Sequence, residues 1–96
     1  MTIFDKVKLA LRISHNLLDA EITDVINSAR QEMIRAGVAQ EVANGSTELV
    51  ETAIKTYALA YFAGATAEAD KYSESFRYQL DNIRKSGVIA NVQLSD

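Results

Sequence analysis

Few side chains in this 96-residue chain are of types that carry chemistry, and they are poorly placed to carry it together. There is one histidine, His15, next to Ser14, and there is no cysteine. A Ser–His pair with no third group to orient it lacks the parts of a nucleophilic triad, and a lone imidazole without thiolates cannot fill a tetrahedral zinc site. Asp19, Glu21 and Asp24 form an acidic cluster that could attract a cation, yet carboxylates in a first helical turn are stabilised by the helix dipole without any ligand. Tyr57, Tyr61, Tyr72 and Tyr78 would make a base-stacking platform if they faced solvent together, but three of them lie on stripes expected to be core. The glycines stand singly at 37, 45, 64 and 87, each at an expected helix end, so no glycine-rich loop is available to cradle a phosphate. These residues point to no enzyme, no metal and no cofactor, which leaves binding or a structural role.

Composition sets the frame for the elements. A chain of this length supports one core, since a second would be too small to offset chain entropy. Hydrophobic residues make up 48% and charged residues 24%, the balance of a soluble globular domain and not of a disordered tail. With no proline and only four glycines, long uninterrupted helices are expected. The absence of cysteine excludes a disulfide framework and suits a cytosolic product. The opening residues Met1 to Lys6 have neither a long apolar run nor a cleavage pattern, so neither a signal peptide nor a membrane span is expected. A formal charge of −3 speaks against a general nucleic-acid binder.

The chain is organised around Ser46 to Gly64, its most apolar stretch. Val50, Ile54, Tyr57 and Tyr61 recur at helical spacing with Ala53, Ala58 and Ala60 beside them, so one stripe faces a core. At about 100° per residue, Leu59 and Phe62 fall on the side that carries Glu48, Thr52 and Lys55 upstream. The helix thus begins two-faced and ends apolar all round, and its far face needs covering by another helix or another chain. Leu59 and Phe62 are candidate interface residues on that ground.

Around this helix the pattern predicts three others. Ile3 to Leu11 puts Phe4, Val7 and Leu11 on one side, Leu9 and Ala10 widening that face, and Lys6 and Lys8 outside. Arg12 to Asn16 loses the period, and Asn16 or Asp19 can cap a helix from about Asp19 to Ala36. Ile22, Val25, Ile26, Ala29 and Met33 line its buried face, Gly37 supplies a left-handed stop, and Val38 folds back. Ala39 to Gly45 reads as a loop with Val42 tucked beneath it. Thr66 can cap a last helix in which Tyr72, Phe76, Leu80 and Ile83 repeat, reaching about Lys85 before Ser86-Gly87 closes it. Its outer face mixes acidic and basic side chains as a solvated surface. The remainder, Val88 to Leu94, alternates β-branched and polar residues and reads as an extended docking arm, with Val88, Ile89, Val92 and Leu94 as further candidate interface residues. The expectation is an all-α protein: a small four-helix domain over residues 1–87 with an extended C-terminal arm over 88–96.

A DNA-binding helix-turn-helix fits the helix count and fails on charge. A recognition helix needs basic and amide side chains near its N-terminus, whereas the second helix opens with three acids and the central one with Glu48 and Glu51.

The order of motifs has a parallel. Lys8-Leu9-Ala10-Leu11-Arg12-Ile13-Ser14-His15 is followed by Leu18-Asp19-Ala20-Glu21-Ile22, then Ile26 and Ala29 before Ala36-Gly37-Val38. After these come Ala53-Ile54-Lys55-Thr56-Tyr57-Ala58 and Tyr72-Ser73-Glu74-Ser75-Phe76. Over about residues 7 to 84 this resembles the small helical head-tail connector, or adaptor, proteins of tailed bacteriophages and prophages. The resemblance implies a homo-oligomeric ring of roughly a dozen copies beneath the portal protein, in contact with tail-side neck proteins. It implies a channel through which genome DNA passes without sequence-specific binding, and residence at the virion neck after assembly in the host cytoplasm. It implies no reaction, no cofactor and no membrane. A small helical DNA-binding regulator and a helical protein-binding adaptor module are the alternatives. Far-ultraviolet circular dichroism of the isolated chain should be dominated by helix, and a spectrum with more strand than helix would overturn the fold class.

Overall fold

The computed structural model describes the backbone of residues 1–95 and the side chains of residues 1–85. Five helices follow one another: α1 (Ile3–Ala10), α2 (Asp19–Arg35), α3 (Gln40–Ala43), α4 (Glu48–Ala63) and α5 (Ala67–Ser95). The all-α expectation holds. α4 is the hub: α1, α2 and α5 all pack on it. Its buried Val50, Ala53, Ile54 and Ala58 meet Val7 from α1, Ile22, Val25, Ile26, Ala29 and Met33 from α2, and Phe76 and Ile83 from α5 in one cluster. The two alanines matter because a small side chain at the contact lets a neighbouring helix approach closely.

The helix ends follow local chemistry. At the start of α1, Asp5 N–H donates to Thr2 Oγ1 at 3.2 Å and Thr2 N–H donates to Asp5 Oδ2 at 3.4 Å, a reciprocal cap. Thr47 caps α4 by accepting from Val50 N–H, and Thr66 caps α5 by accepting from Ala69 N–H at 3.1 Å, as its position predicts. α2 departs from expectation: neither Asn16 nor Asp19 caps it, and Leu18 stands at the N-cap with no side-chain bond. Both acceptors are taken by Lys8, whose ammonium donates to Asn16 Oδ1 at 2.9 Å and Asp19 Oδ1 at 2.8 Å.

α1 and α2 end in the same way with different residues. At the close of α2, Gly37 takes φ 104°, Gly37 N–H donates to Ile34 O, and Val38 N–H donates to Met33 O, which buries Val38. At the close of α1, Arg12 takes φ 59°, Arg12 N–H donates to Leu9 O, and Ile13 N–H donates to Lys8 O. Both are Schellman closures. A side chain in the left-handed region costs about 1–2 kcal/mol, so Arg12 carries strain that Gly37 does not.

Several expectations are corrected. Ala39 to Gly45 contains the one-turn helix α3 where a loop was expected, because Ala43 and Asn44 N–H groups reach back to Ala39 and Gln40 carbonyls. Lys6 and Lys8 are not simply outside: Lys6 donates to Glu51 Oε1 at 2.7 Å, so the two lysines tie α1 to α4 and to α2. Tyr61 lies on the expected core stripe yet is 53% exposed, because the core cluster runs along α4 only as far as Ala58 on that stripe. α5 passes through Ser86-Gly87 and remains helical to Ser95, where an extended arm was expected from Val88. A glycine inside a helix costs only about 1 kcal/mol, and a helix already nucleated gains one hydrogen bond for each residue added. Asp96, the end of the expected arm, lies outside the described residues.

The consequence is an overhang. At ~1.5 Å per residue α5 is about 43 Å long and α4 about 24 Å, and the molecule measures 49 × 29 × 18 Å. Two substitutions separate strain from packing. Arg12→Gly should raise stability by about 1 kcal/mol, read as a melting temperature higher by roughly 4–8 °C. Ile54→Ala, at a fully buried site, should lower stability by about 2–5 kcal/mol. A drop in melting temperature for Arg12→Gly would show that the arginine side chain contributes more to the monomer than its backbone costs.

Candidate interaction surfaces

No group of His, Asp or Glu side chains among the described residues is arranged to hold a metal ion. His15 is exposed, and its Nδ1 accepts from Leu17 N–H at 3.2 Å, which makes it a turn-forming residue. Asp19 pairs with Lys8, while Glu21 and Asp24 are exposed on α2, so the acidic cluster is divided between an ion pair and solvent. The tyrosines are dispersed as well: Tyr57 and Tyr72 are half-buried, and Tyr61 and Tyr78 are exposed on different helices. None of the described helices is long and apolar enough to cross a membrane.

What the fold presents instead is surface for contact. α2 and α5 both pack on α4 without packing extensively on one another, which leaves an open groove between them of about 350 Å³. Tyr57, Ala60 and Tyr61 of α4 form its floor, Ser73, Phe76, Arg77 and Leu80 of α5 one wall, and Glu32 of α2 the other. Tyr57 and Phe76 meet edge-to-face with ring centroids 5.1 Å apart, so the apolar floor is held rigid. Burial raises the Tyr57 pKa above its ordinary value of 10.0, and the negative charge of Glu32 adds to the shift. On the rim, Glu32 accepts from Arg35 Nη1 at 3.3 Å in a largely exposed pair.

A second surface lies at the corner where α1 turns into α2. Leu17 is 87% exposed and Leu9 65% exposed, beside the strained and exposed Arg12. Leu9, Arg12, Ile13 and Ser14 line one shallow depression. Lys8 bridges the two ends of this connection and also lies 5.7 Å over the Phe4 ring. Sequence periodicity hid this corner. By periodicity Leu9 widens a buried face, and Leu17 sits in a stretch with no period to place it. The signal that would have found it is a helix ending without glycine, which leaves a functional reason for the residue in its place.

The expected interface residues are distributed as follows. Leu59 is half-buried on α4 and does not pack against the core cluster, whereas Phe62 is half-buried and does, with its ring 5.0 Å from that of Tyr61. The structure therefore does not join Leu59 and Phe62 into one free face. Positions 88, 89, 92 and 94 lie on the last part of α5, beyond the residues of that helix that line the groove.

Comparison with known proteins adds what geometry alone does not. No curated protein and no solved structure matches the chain. The family model described as phage connector protein matches residues 3–86. That span begins with the first residue of α1 and runs through every helix into α5, so it takes in the α4 hub, the groove and the α1–α2 corner alike. A match of that extent covers the whole packed domain, and the chain belongs to the phage connector protein family.

Proposed function

We propose that the protein is a head-tail connector subunit, copies of which form a ring of roughly a dozen beneath the portal, joining the DNA-filled head to the tail around a channel for the genome. The observation that carries this reading is the family match over residues 3–86. Two features of the molecule support it. Large apolar side chains are exposed at several places, among them Leu9 and Leu17 at the corner and Tyr61 beside the groove, as expected of a subunit whose surfaces are covered only in an assembly. The helix ends are poor readers of DNA, with Glu48 and Glu51 in the first turn of α4 and Glu68 and Asp70 in that of α5.

Roles for the remaining expected residues follow from this reading. Leu59, half-buried and outside the core cluster, contributes to contact with a neighbouring neck protein. Residues 88–96, with Val88, Ile89, Val92 and Leu94, are the docking element for the portal or an adjacent subunit, with 88–95 presented at the end of α5. Genome DNA slides past without being held, because a lining with many phosphate contacts would retain the strand.

Two measurements test the reading. Deleting residues 88–96 should leave the thermal melt of the remaining domain nearly unchanged while abolishing attachment to the neck, and Leu59→Asp should weaken attachment without unfolding the monomer. Particles that assemble and retain their DNA without the C-terminal segment would contradict the docking role. The isolated protein should bind short DNA duplexes weakly. Tight binding with a steep salt dependence would favour a DNA-binding regulator.

A further inference from the structure

We infer that copies of this chain meet head to tail, with the α1–α2 corner of one copy seated in the α2–α4–α5 groove of the next and Arg12 paired with Glu32. The inference rests on the connector reading and names the contact through which its copies join. Three observations carry it.

The first is geometric. α1 packs on α4 and α2, and α5 packs on α4 with no extensive contact to α1, so the corner and the α5-walled groove occupy different flanks of the hub. Two different surfaces that fit one another make a heterologous contact, the type that generates rings when its rotation closes. A contact of one surface with itself would stop at a dimer. The second is chemical. The corner offers exposed leucine side chains, and the groove offers a rigid aromatic floor with Tyr61 still exposed. Aromatic side chains held in this way are common anchors of interfaces.

The third is charge, and it explains the strain. Arg12 has no ion-pair partner among the described residues of its own chain, although it occupies a left-handed position where glycine would be more stable. Glu32 stands on the α2 wall of the groove, tied only to Arg35, whose side chain is 78% exposed. Such an exposed pair is weak and readily exchanged for a less solvated partner. Arg77 on the opposite wall repels an incoming guanidinium toward Glu32, which fixes the orientation of the seated corner. A side chain that acts between copies accounts for an arginine at this strained position.

The chain lacks cysteine, so engineered thiols report on this contact without background. Leu9→Cys and Tyr61→Cys proteins, mixed at high concentration and oxidised, should give a cross-linked pair containing one of each, and neither variant alone should cross-link. Arg12→Gly supplies the decisive companion. It should raise the concentration needed for half-assembly by about tenfold while raising the melting temperature of the monomer, so that a loss of assembly is not a loss of folding. Glu32→Arg should weaken assembly likewise, and Arg12→Glu combined with Glu32→Arg should restore it. Wild-type assembly into multi-copy particles with no mixed cross-link, or with Leu9→Cys linking to itself, overturns the inference and leaves the connector reading standing. A wild-type chain that remains monomeric at every concentration and beside its neck partners overturns both.

Discussion

A single core of this size has to be built on one element that touches every other, and here that element is α4. Val50 and Ile54 are fully buried, and Ala53 and Ala58 keep the helix thin enough for neighbours on several sides. A small domain buries a limited fraction of its surface, and the described residues form one buried cluster with no second to fall back on if it is opened. The same arrangement creates the functional surfaces. Because α2 and α5 are both held to α4 more than to each other, a groove remains between them, and α1, which packs on α4 and α2 but not extensively on α5, leaves its junction with α2 exposed to solvent.

α1 is only eight residues long and would not persist alone, since short isolated helices are marginal in water. It is fixed by burial of Val7, by the Thr2–Asp5 cap, and by two lysines that reach in different directions, Lys6 to α4 and Lys8 to the start of α2. Exposed ion pairs are usually worth little. These two are partly buried and bridge separate helices, so they set the position of the corner more than they add to stability. Arg30 does similar work at the other end of α2, donating from one nitrogen to Ala43 O at 2.7 Å and Gly45 O at 2.8 Å and so holding the α3–α4 connection in place.

Much of this fold was legible in the sequence, for identifiable reasons. The buried face of α2 matched residue for residue, because Ile22, Val25, Ile26, Ala29 and Met33 repeat cleanly and Gly37 ends the pattern. The Thr66 cap and the Gly64 stop were readable from residue type. Two of the misses share a cause, which is that periodicity assigns faces but not where a face runs out of neighbours. Tyr61 continues the core stripe of α4 past the end of the core, and Leu9 extends a face that its neighbours do not cover. The α5 overhang failed differently: β-branched residues after a glycine favour strand only where a sheet exists to receive them, and an established helix carried on instead. Leu59 was legible as an apolar residue on a mixed helix face, while Arg12 left only the weak signal of a helix that ends without glycine.

The family match establishes a phage connector, and the central claim beyond it is that many copies of this chain act together in one closed assembly. Native mass spectrometry of the full-length protein mixed with the portal protein tests that claim most directly. Each portal assembly should carry a fixed set of many copies of this chain. Portal and chain that remain separate, or that combine with only one or two copies, would contradict it.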